Sequence, residues 1–366
     1  MVVFLAVVTG AAAGGPRSGV AVKPRSDRSG VGWDNGGMQR RVTIEDIARE
    51  AGVSRQTVTR AMNGMPRISE ATRARVLEVS ERLGYRPSRF ASNLARSTKT
   101  KTIAFVVDSF RNPYYSELTA DLLDATSARG WQMSIFSHED EPELQLIGRL
   151  ASQVDAVVGY LGETDEAALG SAARGVPLVL LGRTATAEGL HSVDFDFGPA
   201  FARLAAELRE RGAKRFGLLE SQPLGTIYKP SSRRIAYEDA VDAHSAEAVV
   251  VCEAPPQSMD AGQLGFNELM DRFPETDTVI AFSDLMAMGA LRAAHRRGID
   301  VPGQVRLVGV DGLSLGAVTS PALTTLAILG TEFAEQVADV VAKALSGQGD
   351  AAARRIVPSI LWRESA

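Results

Sequence analysis

The feature that most constrains the fold of this chain is a long series of short apolar runs that begins after Lys101. Eight such runs alternate with segments of helical periodicity. They read TIAFVVD, WQMSIFS, VDAVVGYL, VPLVLLG, RFGLLES, AVVVCE, TVIAFSD and VRLVGVD. Buried strands that alternate with helices are typical of parallel sheets built from βαβ units. The series is long enough for two such sheets, so it predicts a two-lobed α/β core over residues 102–366.

The predicted core carries none of the short motifs that mark common enzyme classes. It contains no Walker loop, no G-x-S-x-G, no G-x-G-x-x-G and no H-E-x-x-H. Cys252 is the only cysteine, which excludes an internal disulfide, and the four histidines lack ligand spacing. No apolar run approaches the ~20 residues of a membrane-spanning helix. We therefore expect no enzymatic activity, no metal, no cofactor and no membrane partner.

Charge is divided unevenly along the chain. Residues 38–101 hold 14 Lys and Arg against 6 Asp and Glu, whereas the residues after Lys101 hold 22 against 36. A short basic segment joined to a large acidic one indicates a polyanionic partner for the basic segment. Residues 1–15 contain an apolar stretch but lack the charged start of a secretory signal, and residues 16–37 are Gly-, Ser-, Pro- and Arg-rich without periodicity. We expect residues 1–37 to be a mis-annotated extension before a true start at Met38, or a disordered tail.

The basic segment is predicted to form three short helices. Thr43 and Asp46 have the spacing of a capping box, Gly52 ends the first helix, and Ser54 can cap the second. A third helix is predicted over residues 69–84. The positions predicted to be buried are Ile44, Ile47, Ala48, Val58, Met62, Ala71, Val76, Val79 and Leu83. Short helices around a Gly-containing turn are typical of a helix-turn-helix domain.

The second helix carries Arg55, Gln56, Thr57, Thr59 and Arg60 on or near its outer face. A recognition helix places such residues in the major groove, where Arg reads guanine, Gln reads adenine, and Thr contacts phosphates or thymine methyls. A merely solvated helix face is the alternative. The local excess of positive charge and the helix-turn-helix spacing favour DNA.

These residues resemble the N-terminal headpiece of lactose/galactose-repressor-type (LacI/GalR) transcription regulators. The resemblance is carried by VTIEDIAREAGVSRQTVTRAMNG (42–64) and ISEATRARVLEVSERLGYRPSRFASNLARS (68–97). It implies a DNA-binding headpiece over residues 38–85. The DNA-contacting residues predicted in it are Thr43, Ser54, Arg55, Gln56, Thr57, Thr59, Arg60 and Asn63.

The resemblance also implies a hinge helix and linker over residues 86–101. In this family the hinge helix folds only on DNA, and two copies pair in the minor groove. Leu94 would wedge between base steps, and Arg89 is a further predicted contact. A flexible linker with incidental helicity is the alternative reading of the residues alone.

The core resembles, with looser identity, the periplasmic-binding-protein-type effector domain of the same family. The motifs that carry this are DSFRNPYYSEL (108–118), SSRRIAYEDAV (231–241) and FSDLMAMGALRA (282–293). The resemblance implies that Tyr114, Tyr115, Arg233 and Asp284 bind an effector between the lobes. By spacing alone, the tyrosines could be core aromatics, Arg233 could form an ion pair, and Asp284 could cap a helix.

The predicted pocket departs from common sugar-binding members of the family. Ser283 replaces an Asn, Ile328 stands where a polar residue is usual, and Gly312 replaces a second acid after Asp311. Aromatic platforms with a few polar anchors suit a sugar or a nucleobase equally well. We therefore expect a pocket altered for its ligand.

Together these patterns predict a cytoplasmic, homodimeric, DNA-binding transcription regulator. It would combine an all-α helix-turn-helix headpiece with a two-lobed, periplasmic-binding-protein-like α/β core of parallel sheets. We expect a repressor of a palindromic double-stranded operator, controlled by a small-molecule effector such as a sugar. The alternatives are an activator or a regulator responsive to a purine or another metabolite. A small-molecule receptor or an enzyme on the same core is the alternative from a different class, and neither explains the basic segment.

Overall fold

The structure is a computed structural model that describes residues 42–62, 68–83, 100–162, 165–222, 228–252, 257–347 and 352–366. The chain divides into two compact units between Thr100 and Lys101. The first unit contains a three-helix headpiece, and the second contains the α/β core. Each is described by itself below.

The headpiece consists of helices α1 (Ile44–Glu50), α2 (Arg55–Met62) and α3 (Glu70–Arg82). Each begins behind a hydroxyl that accepts a backbone N–H: Thr43 from Asp46 at 3.4 Å, Ser54 from Thr57 at 3.1 Å, and Ser69 from Thr72 at 3.2 Å. Gly52 has a φ of 63°, a left-handed conformation that favours glycine, and it turns the chain between α1 and α2. The predicted helix-turn-helix unit is confirmed.

One residue from each helix forms the centre of the headpiece core. Ile47, Val58 and Val76 are fully buried and belong to a single apolar cluster. The prediction that Ala71 is buried is wrong, because its side chain is exposed. Ala71 precedes Val76 by five residues, which sets it about 140° around the helix from the buried stripe. The half-buried members of the predicted core are Ile44, Ala48, Met62 and Leu83.

The first lobe of the core is built on a six-stranded parallel sheet in the order β11-β5-β4-β3-β1-β2. Its strands are β1 (Thr102–Val107), β2 (Gln132–Ser137), β3 (Ala156–Gly159), β4 (Leu178–Leu181), β5 (His191–Phe195) and β11 (Ala353–Ile356). Its helices are α4 (Pro113–Ala128), α5 (Glu143–Leu150), α6 (Glu166–Ala173) and α12 (Thr331–Ser346). The apolar faces of α4 and α12 pack on this sheet. Their buried side chains form one apolar cluster with Phe105, Val158 and Val193 of the strands.

The second lobe is built on another six-stranded sheet in the order β12-β10-β9-β8-β6-β7. Its strands are β6 (Phe216–Ser221), β7 (Val249–Cys252), β8 (Thr278–Ala281), β9 (Arg306–Asp311), β10 (Thr324–Ala327) and β12 (Ser359–Leu361). Its helices are α7 (Phe197–Glu210), α8 (Ser232–Ala240), α9 (Ala243–Glu247), α10 (Met259–Arg272), α11 (Asp284–Arg297) and a short 3-10 helix (Ser314–Val318). In the described stretches, no helix is long and apolar enough to cross a membrane.

All eight strands predicted from apolar runs are present. Four further strands were not predicted from the sequence: β5, β10, β11 and β12. The predicted two-lobed core of parallel sheets is confirmed, with one antiparallel pair at an edge, where β12 pairs with β10 through Thr325 and Leu361. The chain passes from one lobe to the other after β5, after β10 and after β11, so each lobe contains segments that are distant in sequence.

Candidate DNA-reading helix and inter-lobe cavity

The start of α2 presents side chains suited to reading base edges. Arg55 and Gln56 are both exposed there. Nη1 of Arg55 lies 3.1 Å from Oε1 of Glu45. Both side chains are largely solvated, so this ion pair is weak and DNA can replace it. The hydroxyl of Thr59, which is half-buried, donates to the carbonyl of Arg55 at 3.1 Å.

The remaining predicted DNA-contacting residues are partly engaged in local structure. The hydroxyls of Ser54 and Thr57 share a 2.9 Å hydrogen bond at the helix start, where both still border the outer face. Thr43 forms the capping box of α1, and Arg60 is half-buried. Asn63, Arg89 and Leu94 lie outside the described residues.

A cavity of about 210 Å³ lies between the two lobes of the core. It is bounded by the carboxyl ends of strands from both sheets, where ligands usually bind in open α/β sheets. The first lobe contributes Asp108, Tyr114, Tyr115, Tyr160, Gly182 and Phe195 to its lining. The second lobe and the crossover after β10 contribute Phe197, Ser231, Ser232, Arg233, Gln257, Phe282, Asp311 and Ile328. The predicted residues Tyr114, Tyr115 and Arg233 are thus brought together, whereas Asp284 does not line the cavity.

Three tyrosines form the wall that the first lobe contributes. The rings of Tyr114, Tyr115 and Tyr160 meet edge to face, with centroids 5.2 to 5.9 Å apart. The hydroxyls of Tyr114 and Tyr160 are hydrogen-bonded to each other. Burial raises the pKa of all three phenols, which keeps them neutral donors. A Cβ at Gly182 would come within 3.0 Å of the Tyr160 ring, so glycine leaves room for this wall.

Asp108 offers a carboxylate to the cavity at the carboxyl end of β1. The hydroxyl of Tyr115 donates to its Oδ2 at 2.7 Å. Nε2 of His138 lies 3.0 Å from its Oδ1. Two neighbours therefore orient the carboxylate, although the side chain remains 52% exposed and can accept further hydrogen bonds from a ligand.

Among the described residues that line the cavity, Arg233 is the one cation. Its guanidinium carbon lies 4.0 Å from the centroid of the Phe282 ring and 5.1 Å from that of Phe197. Its Nη2 is 3.7 Å from Oδ1 of Asp311. Within the described residues, its buried Nε has no hydrogen-bond partner. A buried donor without a partner is unfavourable, so a ligand acceptor placed beside it would be bound with a gain in free energy.

The acid beside Arg233 is Asp311, not the predicted Asp284. Asp311 ends β9 with a φ of 141°, a conformation that non-glycine residues rarely adopt. Its carbonyl accepts the N–H groups of Ile328 and Leu329, both at 3.1 Å, and these bonds hold the crossover against it. Burial raises the pKa of its carboxyl group well above the ordinary value, and Arg233 opposes this shift.

Asp284 is fully buried at the start of α11, and its acceptors are already occupied. Its Oδ1 accepts the hydroxyl of Thr325 at 2.6 Å. Its Oδ2 accepts the N–H groups of Gly312 at 3.0 Å and Leu313 at 2.7 Å. Burial raises the pKa of this carboxyl group to about 6. The prediction that Asp284 accepts ligand hydroxyls is therefore corrected: it supports the loop that follows β9.

Several of the lining residues that were not predicted from the sequence share one property. Asp108, Tyr160, Phe282 and Asp311 each stand at or directly after the last residue of a predicted strand. Because the carboxyl ends of parallel strands meet at one edge, that position alone was a usable signal. Phe195, Phe197 and Gln257 gave no such signal, because β5 was not predicted and Gln257 lies beyond β7 in a loop.

Comparisons with known proteins support the assignment of both the headpiece and the core. Residues 43–88 match the family described as bacterial regulatory proteins, lacI family, and residues 205–366 match the periplasmic binding protein-like domain. The HTH-type transcriptional regulator AscG of Escherichia coli is 30% identical over 310 residues, which cover 81% of this chain and 89% of that protein. Catabolite control protein A of Priestia megaterium is 29% identical over 294 residues, which cover 78% and 87%.

A solved structure extends the similarity to three dimensions. The transcriptional regulator CelR in complex with cellobiose superposes with a TM-score of 0.62 at 27% identity, over 89% of this chain and 100% of that one. The helix-turn-helix headpiece and the two-sheet core therefore occur together in related DNA-binding regulators. The chain belongs to the lacI family of bacterial regulatory proteins and is a DNA-binding transcriptional regulator with a ligand-binding core.

Proposed function

We propose that this protein is a cytoplasmic, homodimeric repressor whose affinity for a palindromic operator changes when a sugar occupies the inter-lobe cavity. The observation that carries the effector part is the Arg233–Asp311 pair in an aromatic-walled cavity at the carboxyl ends of both sheets. In this proposal the protein acts by binding operator DNA and an effector, without catalysing a reaction. Two headpieces related by a twofold axis would read the two halves of the operator.

For DNA recognition we propose that Arg55 and Gln56 read base edges, while Ser54, Thr57 and Thr59 help to position α2 on the backbone. The exposure of Arg55 and Gln56 at the start of α2 supports this assignment. Arg60, Thr43 and Asn63 are proposed as flanking contacts. We expect Arg89 and Leu94 of the hinge segment to add minor-groove contacts, with Leu94 unstacking a base step.

The recognition assignment is tested by quantitative binding to an operator selected from a random library. Arg55→Ala should cost about 1–3 kcal/mol and relax specificity at one base pair in each half-site. Arg82→Ala is the matched control, since this arginine also pairs with a glutamate in the headpiece but lies at the end of α3. If both variants lose the same affinity and keep the wild-type sequence preference, α2 does not read the bases.

The cavity suits a neutral, hydroxyl-rich ligand with an apolar face. Asp108 and Asp311 are acceptors for hydroxyls, and Arg233 is a donor with an unpartnered Nε. The tyrosine wall and Phe282 offer flat apolar surfaces against which a sugar ring can lie. CelR, a structural relative, binds cellobiose, which supports a sugar as the ligand here. The aromatic walls suit a nucleobase as well, so a purine is the second candidate.

The proposed mechanism is linkage between the cavity and the operator. An effector that contacts both lobes favours one relative position of the lobes over the other, and it shifts the population by its difference in affinity for the two. A change in lobe position would alter the spacing of the paired hinge segments and therefore operator affinity. By reciprocity, operator DNA changes effector affinity by the same factor.

The effector proposal is tested by calorimetric titration of the full chain with a panel of sugars and purines. Arg233→Ala should abolish the heat of binding of any ligand found. Arg234→Ala is the matched control, because this neighbouring arginine pairs with Glu238 at 2.7 Å and does not line the cavity. Equal affinity for the Arg233→Ala variant and the wild type would place the ligand elsewhere.

A further inference from the structure

The size of the cavity limits what it can hold. The volume of the cavity between the lobes is about 210 Å³. It lies below the range of roughly 300–1,000 Å³ that is usual for sites of drug-sized ligands. One sugar ring has about half the non-hydrogen atoms of a disaccharide, so the volume favours a single ring.

The wall on the first-lobe side is held rigidly. Tyr114 and Tyr160 are joined through their hydroxyls, and Tyr115 is tied to Asp108 at 2.7 Å. The three rings also pack edge to face. Moving one ring outward to admit a larger ligand would break a hydrogen bond between buried groups and disturb the packing of the other two. The cavity therefore does not enlarge easily in this direction.

A hydrogen bond between the two lobes lies at the border of the cavity. Nδ2 of Asn112, which precedes α4 in the first lobe, donates to Oε1 of Gln257 in the second lobe at 3.1 Å. Gln257 itself lines the cavity. Its backbone N–H donates to the hydroxyl of Ser221 at 3.3 Å, which fixes the loop. We call this contact the Asn112–Gln257 bridge.

A second contact joins the lobes away from the cavity lining. Glu117 of α4 accepts the N–H of Ser314 at 3.1 Å and the Ser314 hydroxyl at 2.7 Å. Neither residue lines the cavity. This Glu117–Ser314 bridge joins the two lobes at a point that a ligand in the cavity does not contact.

Resting on the proposed sugar effector, we propose that the effector is a single-ring sugar and that the Asn112–Gln257 bridge excludes a second ring. A disaccharide would have to break this bridge or displace the tyrosine wall. A monosaccharide leaves both intact, so the lobes close over it. This preference differs from that of the related CelR, which is bound to a disaccharide.

The test is calorimetric titration of the full chain with matched pairs of sugars. The pairs are glucose with cellobiose and maltose, and galactose with lactose, together with ribose and fructose as further single rings. We expect at least one monosaccharide to bind about tenfold more tightly than any disaccharide. A disaccharide that binds more tightly than its component rings overturns the size inference while the sugar effector stands. No binding by any sugar overturns the sugar effector itself, and the inference falls with it.

Two variants separate size exclusion from lobe closure. Gln257→Asn keeps an amide and suits the φ of 55° at this position, but it is one methylene too short to reach Asn112. It should weaken monosaccharide binding about five-fold, as expected for one neutral hydrogen bond, and should reduce the preference over disaccharides. Asn112 is left intact, because its Oδ1 also caps α4. An unchanged preference in Gln257→Asn refutes the bridge as the size filter.

Glu117→Gln is the matched control, because it weakens the other bridge and leaves the cavity lining unchanged. It should lower affinity for single and double rings by the same factor. A change in the ratio of the two affinities in Glu117→Gln contradicts the assignment of size selection to Gln257.

Discussion

Asp284 provides the sharpest test of how the ligand cavity is supported, because its side chain is fully buried beneath the loop that follows β9. Three donors converge on it: the hydroxyl of Thr325 and the N–H groups of Gly312 and Leu313. Gly309 makes room for the carboxylate, since a Cβ there would lie 2.0 Å from Oδ1. Replacing this carboxylate therefore alters three hydrogen bonds without altering a ligand contact.

The two informative substitutions differ in what happens to those donors. Asp284→Ala leaves the Leu313 N–H and the Thr325 hydroxyl short of an acceptor, and each buried unsatisfied group costs about 1–3 kcal/mol. Gly312 is affected less, because its N–H also reaches Thr325 Oγ1 at 3.2 Å. Asp284→Asn keeps the shape. Its amide oxygen can accept from the two N–H groups, and its NH₂ can donate to the threonine hydroxyl.

The change in the free energy of unfolding caused by Asp284→Ala at neutral pH is the difference between two opposing effects. Losing the acceptor in Asp284→Ala costs about 2–5 kcal/mol, and removing a buried charge recovers part of this. We expect a net loss of about 1–3 kcal/mol in the free energy of unfolding at about pH 7.5. Asp284→Asn should lie within about 1 kcal/mol of the wild type.

The pH dependence follows from the sign of the pKa shift. Burial raises the pKa of Asp284 from the ordinary 3.8 to about 6, so the folded state binds a proton more tightly than the unfolded chain. The stabilisation is full below the unfolded pKa and is lost as the pH rises through the folded pKa. Between about pH 7.5 and about pH 5 the wild type should gain about 1.4 kcal/mol from this group. Asp284→Asn has no such group and should gain less.

The assay is urea denaturation of the DNA-free chain at about pH 7.5 and about pH 5, followed by tryptophan fluorescence. The core contributes Trp131 and Trp362 to this signal. Asp311 is buried nearby, and the charge of Asp284 is one cause of its raised pKa, so the comparison with Asp284→Asn reports Asp284 together with its effect on Asp311. Equal losses in Asp284→Ala and Asp284→Asn would refute the hydrogen-bond argument. Equal pH dependence in the wild type and Asp284→Asn would refute the burial argument.

Three further substitutions test other parts of the structure. Glu117→Gln weakens the contact with Ser314 between the lobes, so effector affinity measured by calorimetry should fall about five-fold. An unchanged affinity would mean that this contact does not stabilise the bound state. Gly182→Ala places a Cβ on a backbone with a φ of 72°, at 3.0 Å from the Tyr160 ring. The thermal midpoint should therefore drop by the equivalent of about 1–3 kcal/mol, and a wild-type midpoint would contradict the close packing of Gly182 against the tyrosine wall. Thr43→Ala removes the capping box of α1 and should destabilise the headpiece by about 1 kcal/mol in hydrogen exchange, without altering the exchange of the core.

Six of the eight strands that could be predicted from sequence are buried on both faces, and β2 and β7 are the exceptions. The apolar runs of these six are continuous, as in β1 and β9. The strands β11 and β12 stand at sheet edges and are largely exposed, so they show no apolar run. In β10 the buried side chains include Thr324 and Thr325, whose hydroxyls bond to Arg363 N–H and Asp284 respectively. Such strands depend on partners that are distant in sequence, and a local pattern does not reveal them.

The cavity was predictable to the extent that its residues follow predicted strands or match a motif. Tyr114 and Arg233 were found through motifs, and both line the cavity. Asp284 was assigned to the ligand because a motif acid at a helix start has the chemistry of a sugar acceptor. Its actual donors come from residues 28 to 41 positions later in the chain, so only the tertiary structure shows that its acceptors are occupied. The same contacts leave Asp311, and not Asp284, as the acid of the second lobe that faces the cavity.

The loop that follows β9 joins the cavity to the contact between the lobes within four residues. Asp311 lines the cavity, Asp284 holds the next two N–H groups from inside the second lobe, and Glu117 of the first lobe holds Ser314. Because this short loop is hydrogen-bonded along its length, we expect a ligand held by Asp311 to stabilise the contact of Ser314 with Glu117 as well. Because coupling between binding events is reciprocal, any contact that favours the Glu117–Ser314 bridge raises effector affinity to the same extent that the effector favours the bridge. Effector recognition and lobe closure are then two consequences of the position of one loop, and substitutions on either side of the cleft should change both together.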